Sequence, residues 1–372
     1  MPDFERRMTT PVMVGDVMIG GDAAISVQSM TNTDPHDAEA TYGQIMRLSA
    51  AGCDVVRLAV PDRESAGIFR VLKERVVRVP LVADIHFDYR IALDAVAAGA
   101  DKIRINPGNI GSEERVRLVA DACRERGVPI RVGVNSGSLE RDLLDRYHGP
   151  TAEALAASAL RHVALLEKAG FSQIVVSVKA SDVPTMIAAN RILAEKTVYP
   201  LHLGVTEAGA RGAAVLKSGI GIGTLLAEGI GDTIRVSLTD DPVEEIRAAK
   251  NILSALGLSS ERGMDIVSCP TCGRTRIDLI PLVAAFEERV RAEGLDRLNV
   301  KVALMGCAVN GPGEAREADI GIAGGAGEGL LFKKGEIVAK LPEDALLDAL
   351  IDELRAMRAA SVYRDRTNER TF

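Results

Sequence analysis

Ala50-Ala51-Gly52-Cys53-Asp54-Val55-Val56-Arg57 returns as Ala97-Ala98-Gly99-Ala100-Asp101-Lys102-Ile103-Arg104, and more loosely as Lys168-Ala169-Gly170-Phe171-Ser172-Gln173-Ile174-Val175. Each copy is the end of an alanine-rich amphipathic helix, a glycine suited to the left-handed C′ position, and a β-branched strand. Working outward from these copies gives eight strands: Ile25–Met30, Val55–Val60, Leu81–Phe87, Lys102–Pro107, Pro129–Asn135, Ile174–Ala180, Leu201–Thr206 and Thr233–Leu238. A helical pattern follows each of them. That count and spacing predict an α/β fold, a (β/α)8 TIM barrel. A doubly wound sheet needs no such repeat, and it usually carries a glycine-rich phosphate loop after its first strand.

A hairpin over 11–20, turning at Gly15-Asp16, precedes the barrel. The last barrel helix opens with Asp241 as N-cap, Pro242 at N1 and Glu244 at N3, read as a capping box, and stops at Gly257. The polar stretch Gly257–Gly263 reads as a linker. The expected domains are therefore a barrel over 1–257 and a small α+β domain over 264–372. The second domain reads as a strand, a Cys-x-x-Cys turn, a helix over Asp278–Glu293 and a strand over Asn299–Met305. A cysteine loop, a strand over Asp319–Ala323, a hairpin through Lys333–Glu336 and a helix over Pro342–Ala360 complete it.

The 372 residues carry a net charge of −7, 3 % aromatics and no Trp, which argues against a nucleic-acid binder. No long apolar run or signal-like N-terminus occurs, so no membrane span is expected and the cytoplasm is the expected compartment. Five cysteines, an odd number, suit reducing surroundings better than a disulfide framework.

Three of those cysteines form a constellation. Cys269 and Cys272 sit in Ser-Cys-Pro-Thr-Cys-Gly-Arg-Thr at 268–275, and Cys307 opens Gly-Cys-Ala-Val-Asn-Gly-Pro-Gly-Glu at 306–314. No histidine follows residue 202, and the remaining cysteines, Cys53 and Cys123, read as buried thiols. Three thiolates from two turns fit an iron–sulfur cluster whose last iron takes a displaceable oxygen ligand, with Glu314 ending the loop. A zinc held by the three cysteines and Glu314 or water, a dithiol redox pair, and plain buried thiols stand as alternatives.

A barrel places its chemistry at the C-terminal ends of its strands, and residues two apart share a face. Those ends offer Arg57; Asp84 with His86; Arg104 with Asn106; Arg131 with Asn135; Ser177 with Lys179; Thr206 and Glu207; and Arg235 with Ser237. Five cations at one mouth would repel each other unless an anion lay between them. Arg supplies a bidentate fork for phosphate and Lys a point charge, so a ligand with two phosphates fits better than a lone carboxylate. Asp84 and His86 read as a mutually orienting acid–base pair, and Glu207 as a proton donor. His36, His148, His162 and His202 read as peripheral or structural.

The motifs also resemble a known family. Ser-Met-Thr-Asn-Thr at 29–33, Leu-Val-Ala-Asp-Ile-His-Phe-Asp-Tyr-Arg at 81–90, Lys-Ile-Arg-Ile-Asn-Pro-Gly-Asn-Ile-Gly at 102–111, Val-Ser-Val-Lys-Ala-Ser at 176–181 and Gly-Val-Thr-Glu-Ala-Gly at 204–209, with both cysteine motifs, are similar to those of bacterial 4-hydroxy-3-methylbut-2-enyl diphosphate synthases. The resemblance runs in order along nearly the whole chain. The length fits the two-domain form rather than the plant-type form with a middle domain. It implies two-electron reductive opening and dehydration of 2-C-methyl-D-erythritol 2,4-cyclodiphosphate in the non-mevalonate isoprenoid pathway. It further implies a [4Fe-4S] cluster on Cys269, Cys272, Cys307 and Glu314, a flavodoxin or ferredoxin as electron donor, and a homodimer sharing active sites between protomers.

Other readings remain distinguishable. A radical enzyme using S-adenosylmethionine wants its cysteines early and closely spaced. A zinc-stabilised sugar-phosphate sensor would hold zinc without iron or sulfide. Another iron–sulfur barrel enzyme acting on a phosphorylated substrate would keep the same cation set.

Overall fold

The structure, a computed structural model, describes residues 5–259, 263–307 and 317–368. The chain divides into two compact units, Met1–Ser259 and Ser260–Phe372.

The first unit opens with an antiparallel hairpin, β1 (Val12–Val14) and β2 (Val17–Ile19). Val14 and Ile19 pack on Val55 and Val82 at the starts of two barrel strands, so the hairpin covers apolar side chains at the N-terminal end of the sheet. Eight parallel strands follow: β3 (Ser26–Met30), β4 (Val55–Ala59), β5 (Leu81–Asp84), β6 (Lys102–Ile105), β7 (Ile130–Asn135), β8 (Ile174–Lys179), β9 (His202–Leu203) and β10 (Thr233–Ile234). β3 to β8 pair in chain order, and β10 joins β3 on one side and β9 on the other. A single bridge, Val176 to Leu201, closes the ring between β8 and β9.

The expected (β/α)8 barrel is thus the observed one, with its last two strands shorter than the sequence implied. Beyond Leu203 the backbone makes isolated bonds, such as Arg235 N to Leu203 O at 3.0 Å, instead of a continuous ladder.

The repeat glycines do what their spacing predicts. Gly52, Gly99 and Gly170 have φ of +84°, +101° and +69°, each turning a helix end into the next strand where a side chain would be strained. Helix starts are fixed by side-chain caps from Asp37, Asp88, Ser112, Thr151, Asp182 and Asp241. The helix Pro242–Ala255 has the predicted Asp241 cap, which accepts from Val243 N, but Glu244 does not close a capping box. Its carboxylate is drawn instead to Arg211 and Arg247, whose charge outbids a neutral backbone N–H.

The second unit is a five-stranded sheet in the order β11 (Asp265–Ser268), β12 (Lys301–Met305), β13 (Ile320–Gly324), β14 (Glu328–Lys333), β15 (Glu336–Pro342). The first three strands are parallel and the last two antiparallel. Helices Leu279–Ala292 and Leu346–Asn368 bury Phe286, Val290, Leu350 and Leu354 against Ile320 and Ile322. The β14–β15 turn places Lys334 and Gly335 at φ +47° and +82°, a two-residue hairpin geometry. Among the described residues no helix is long and apolar enough to cross a membrane.

Candidate functional site

At the C-terminal ends of the barrel strands the inward faces converge on one cavity of about 430 Å3, including the space open to solvent. Arg57, Arg104, Arg131, Lys179 and Arg235 all line it, each from a different strand or strand end. Asp84, His86, Asn135, Ser177 and Thr206 complete the polar lining, with Gly133 between them.

One carboxylate organises the arginines on one side. Asp84 Oδ1 accepts from Arg104 Nη1 at 3.1 Å, and its Oδ2 stands 3.7 Å from Arg57 Nε. Burial opposes ionisation of Asp84, but Arg57, Arg104 and Arg131 overcome it and hold the carboxyl far below the usual carboxylate range. Arg57 rests its guanidinium on Met30 Sδ, 2.9 Å from Nη2. On the other side Glu245, from the helix after β10, holds Arg235 at 3.1 Å and accepts from Ser29 Oγ at 2.8 Å. Strand-end reading missed Glu245 because it lies on a helix.

Two carboxylates do not balance five cations. Burial pushes Lys179 well below the usual lysine range, with Arg235 and Arg131 adding to it, and lowers Arg57 to about 10. Arg131 is 1 % exposed, and its Nε and Nη1 have no hydrogen-bond partner. At effective dielectric constants near 20, two like charges about 4 Å apart cost about 4 kcal/mol. A polyanion in the cavity removes that cost and supplies the missing acceptors.

Small residues make room for the cations. A Cβ on Gly133 would stand 2.4 Å from Arg104 Nε, and one on Gly204 would stand 2.8 Å from Lys179 Nζ and 2.7 Å from the Arg235 carbonyl oxygen. Neither glycine was singled out from sequence, although both lie two residues from a named cation or hydroxyl on the same strand face.

Other sequence-selected residues sit differently. Arg104 Nη1 lies 3.2 Å from His86 Nε2, so the arginine binds both Asp84 and His86, in place of the direct pairing expected of those two. Asn106 is buried and caps the short helix Pro107–Ile110 through Gly108 N at 3.1 Å, outside the cavity lining. Ser237 Oγ is buried without a partner and also lies outside the lining. Glu207 is exposed on the rim, with a left-handed φ of +51°. His162 is buried 2.9 Å from Glu140, His36 bridges Asp34 and Asp62 on the surface, and His148 ends a helix at φ +58°. His202 lies inside the barrel, fully buried. Cys53 and Cys123 are buried thiols, each pushed up to about 12 by burial.

In the second unit the three cysteines follow the ends of two adjacent parallel strands. Cys269 comes directly after β11, and Cys307 two residues after β12, with Ser268 in register with Leu304. Gly306 N donates to Cys269 Sγ at 3.2 Å, tying the loops together beside Cys307. Cys272 is exposed, and Arg274, through its backbone N–H and then its guanidinium, holds that thiol below the usual range. Backbone N–H aimed at sulfur and soft thiols on neighbouring loops are the donor chemistry an iron–sulfur centre takes. Among the described residues no three His, Cys, Asp or Glu side chains close on one point, and Glu314 lies outside those residues.

Comparison with known proteins agrees with both units. The family model described as the GcpE TIM-barrel domain matches residues 9–250, and that of the GcpE protein C-terminal domain matches 265–356. A Ruminiclostridium cellulolyticum protein named 4-hydroxy-3-methylbut-2-en-1-yl diphosphate synthase (flavodoxin) is 57 % identical over 354 residues, covering 95 % of this chain and 99 % of that one. A Clostridium perfringens protein of the same name is 58 % identical over 348 residues, covering 94 % and 98 %. Among solved structures, an N-acetylneuraminic acid synthetase from Leptospira borgpetersenii, in complex with citrate, aligns with a TM-score of 0.50 at 12 % identity. It covers 78 % of this chain and 98 % of that one, a likeness of fold alone. A barrel match and a C-terminal match in the same order, with relatives more than half identical along almost their full length, place this chain in the GcpE family.

Proposed function

We propose that this enzyme carries out the reaction its relatives are named for, making 4-hydroxy-3-methylbut-2-enyl diphosphate by two-electron reductive opening and dehydration of 2-C-methyl-D-erythritol 2,4-cyclodiphosphate. The observation that carries the reading is the cavity itself: five cations face Asp84, with Glu245 behind Arg235. A cyclic diphosphate neutralises that surplus. Arg57, Arg104 and Arg131 are pre-positioned around Asp84, so they hold phosphoryl oxygens without reorganising as charge develops. Lys179, on the strand next to Arg131, and Arg235, after β10, add further cationic contacts, and Asn135, Ser177 and Thr206 supply neutral donors that fix orientation.

We assign Cys269, Cys272, Cys307 and Glu314 as ligands of a [4Fe-4S] cluster, which when bound would pass on two electrons singly from the external reductant and offer a Lewis-acidic iron. Supporting this are the joined cysteine loops and the Arg274 contact at Cys272. Glu207 is assigned as proton donor to the departing hydroxyl. Its left-handed backbone costs about 1 kcal/mol that a glycine would avoid, and such strain is retained where a side chain's direction matters. A flavodoxin, as in the relatives' printed name, is the assigned electron donor, and two protomers sharing their sites is the assigned assembly.

Anaerobic purification with iron, sulfide and zinc analysis tests the cluster. About four irons and four sulfides per chain with a brown absorption support it, and stoichiometric zinc alone refutes it. Cys307→Ser is expected to lose the colour. Turnover of the cyclodiphosphate with reduced flavodoxin then tests the reaction. Glu207→Gln with an intact cluster spectrum and full turnover would refute the proton role.

A further inference from the structure

Below the cavity the inward face of the barrel continues as polar side chains that the anion site does not touch. Lys102 lies two residues before Arg104 on β6, so both share one strand face. It is fully buried, and its Nζ has no hydrogen-bond partner. Its strand neighbour Val82 packs on the hairpin, which places Lys102 toward the floor of the barrel. His202 begins β9, fully buried, with both ring nitrogens unpartnered. Thr233 is in register with His202 on one side and Ser26 on the other, and neither hydroxyl has a partner.

An ammonium in such a place, with no counter-ion, costs several kcal/mol, whereas a neutral amine costs far less. We propose that Lys102 is the charge-compensating base of this barrel, taking up a proton when a diphosphate group enters the cavity and returning it when the group leaves. The inference rests on the diphosphate reading above.

The neighbours decide why Lys102 carries the change. Arg57 on β4, Arg104 on β6, Arg131 on β7 and Arg235 after β10 are guanidinium groups and keep their charge through neutral pH, although burial lowers Arg57 to about 10 and lowers Arg131 as well. Asp84 on β5 is held ionised so strongly that a nearby anion leaves it so. Lys179 on β8 lies in the cavity lining and burial holds it low as well, so the variants decide between the two lysines: uptake that survives Lys102→Met belongs to Lys179. His202 on β9 is held neutral by burial and by the cations around it, and its uptake would fall on the acid side. Burial, then Arg131 and Arg57, hold Lys102 well below the usual lysine range. An anion seated among those arginines offsets their repulsion and raises it again. Proton uptake therefore occurs between the free and the bound pKa and vanishes outside that window.

The test is calorimetric titration of the oxidised holoenzyme with the cyclodiphosphate, without reductant, in paired buffers of different ionisation enthalpy from pH 6 to 9. The ligand carries one strongly acidic hydroxyl per phosphorus and exchanges no proton in that range. The expected result is uptake of up to roughly one proton per site, bell-shaped in pH between the free and the bound pKa of Lys102. Lys102→Met and Lys102→Gln are expected to bind without it, roughly tenfold more weakly inside the window and equally well above it.

Binding with equal heats in both buffers overturns the proposal from the wild-type protein alone, whether or not the variants fold. Uptake that survives Lys102→Met, or that lies in the acid range and disappears in His202→Gln, also overturns it. Absence of binding overturns the diphosphate reading and this inference together, which separates the two failures.

Discussion

Arg104 Nη1 stands 3.2 Å from His86 Nε2, and because a guanidinium has only donors, the imidazole nitrogen is the acceptor. The ring proton of His86 is then on Nδ1. The same Nη1 donates to Asp84 at 3.1 Å, so one arginine fixes both side chains at the mouth of the cavity.

Replacing His86 by Gln, which can accept from Arg104 through its amide oxygen, should keep most activity. Phe cannot accept, and it should lower kcat/KM by roughly tenfold, less than a fully buried charged hydrogen bond would cost because His86 is exposed. Nitrogen chemical shifts of the labelled imidazole check the tautomer directly. A proton found on Nε2 in the unliganded enzyme would contradict the arrangement.

Gly133→Ala puts a methyl 2.4 Å from Nε of Arg104, whose guanidinium is held by Asp84 and His86, so the arginine can shift only by giving up those contacts. The expected outcome is a raised KM together with a lowered thermal midpoint. Gly204→Ala meets the Arg235 carbonyl oxygen as well as Lys179, and backbone cannot yield so cheaply. Its expected cost is about 1–3 kcal/mol of stability, read from urea unfolding.

Glu245→Ala should be among the most damaging changes outside the cavity lining. It leaves Arg235 without its buried counter-ion and Ser29 Oγ without its closest acceptor. A loss of about 3–5 kcal/mol is expected. Glu245→Gln keeps the shape and some hydrogen bonds, and it should lose less. Equilibrium unfolding of both variants tests the order.

Acid stability should report on Glu140. Burial raises its pKa, but the His162 ring 2.9 Å away and a hydrogen bond from Ser158 Oγ at 2.7 Å outweigh that and bring it to about 2. A carboxyl depressed in the folded state stabilises above its unfolded value, near 4.3, and loses that contribution as pH falls toward 2. Glu140→Gln should therefore be less stable at pH 7, with a shallower decline between pH 4.5 and 2. Parallel melting curves of the two proteins would expose the idea if their declines coincided.

The helix–glycine–strand repeat was legible in the chain because its causes are local: caps, a left-handed glycine and β-branched runs. The five cations were legible too, since strand alternation puts residues two apart on one face. Alternation does not say which face points inward, how deep a residue lies, or what stands across the ring. Lys102 and His202 therefore looked ordinary as sequence, yet both lie buried within the barrel. Glu207 looked central, and a left-handed turn leaves it exposed on the rim.

By itself the sequence determined the order of elements, the family motifs and the chemical kinds gathered at the strand ends. Only ring closure decided the partners. It set β10 beside β3, where Glu245 reaches both Arg235 and Ser29, and it placed Arg104 against Asp84 and His86. The physical reason is range: propensity and periodicity act over a few residues, whereas charge pairing and burial depend on distances that exist only once the sheet closes.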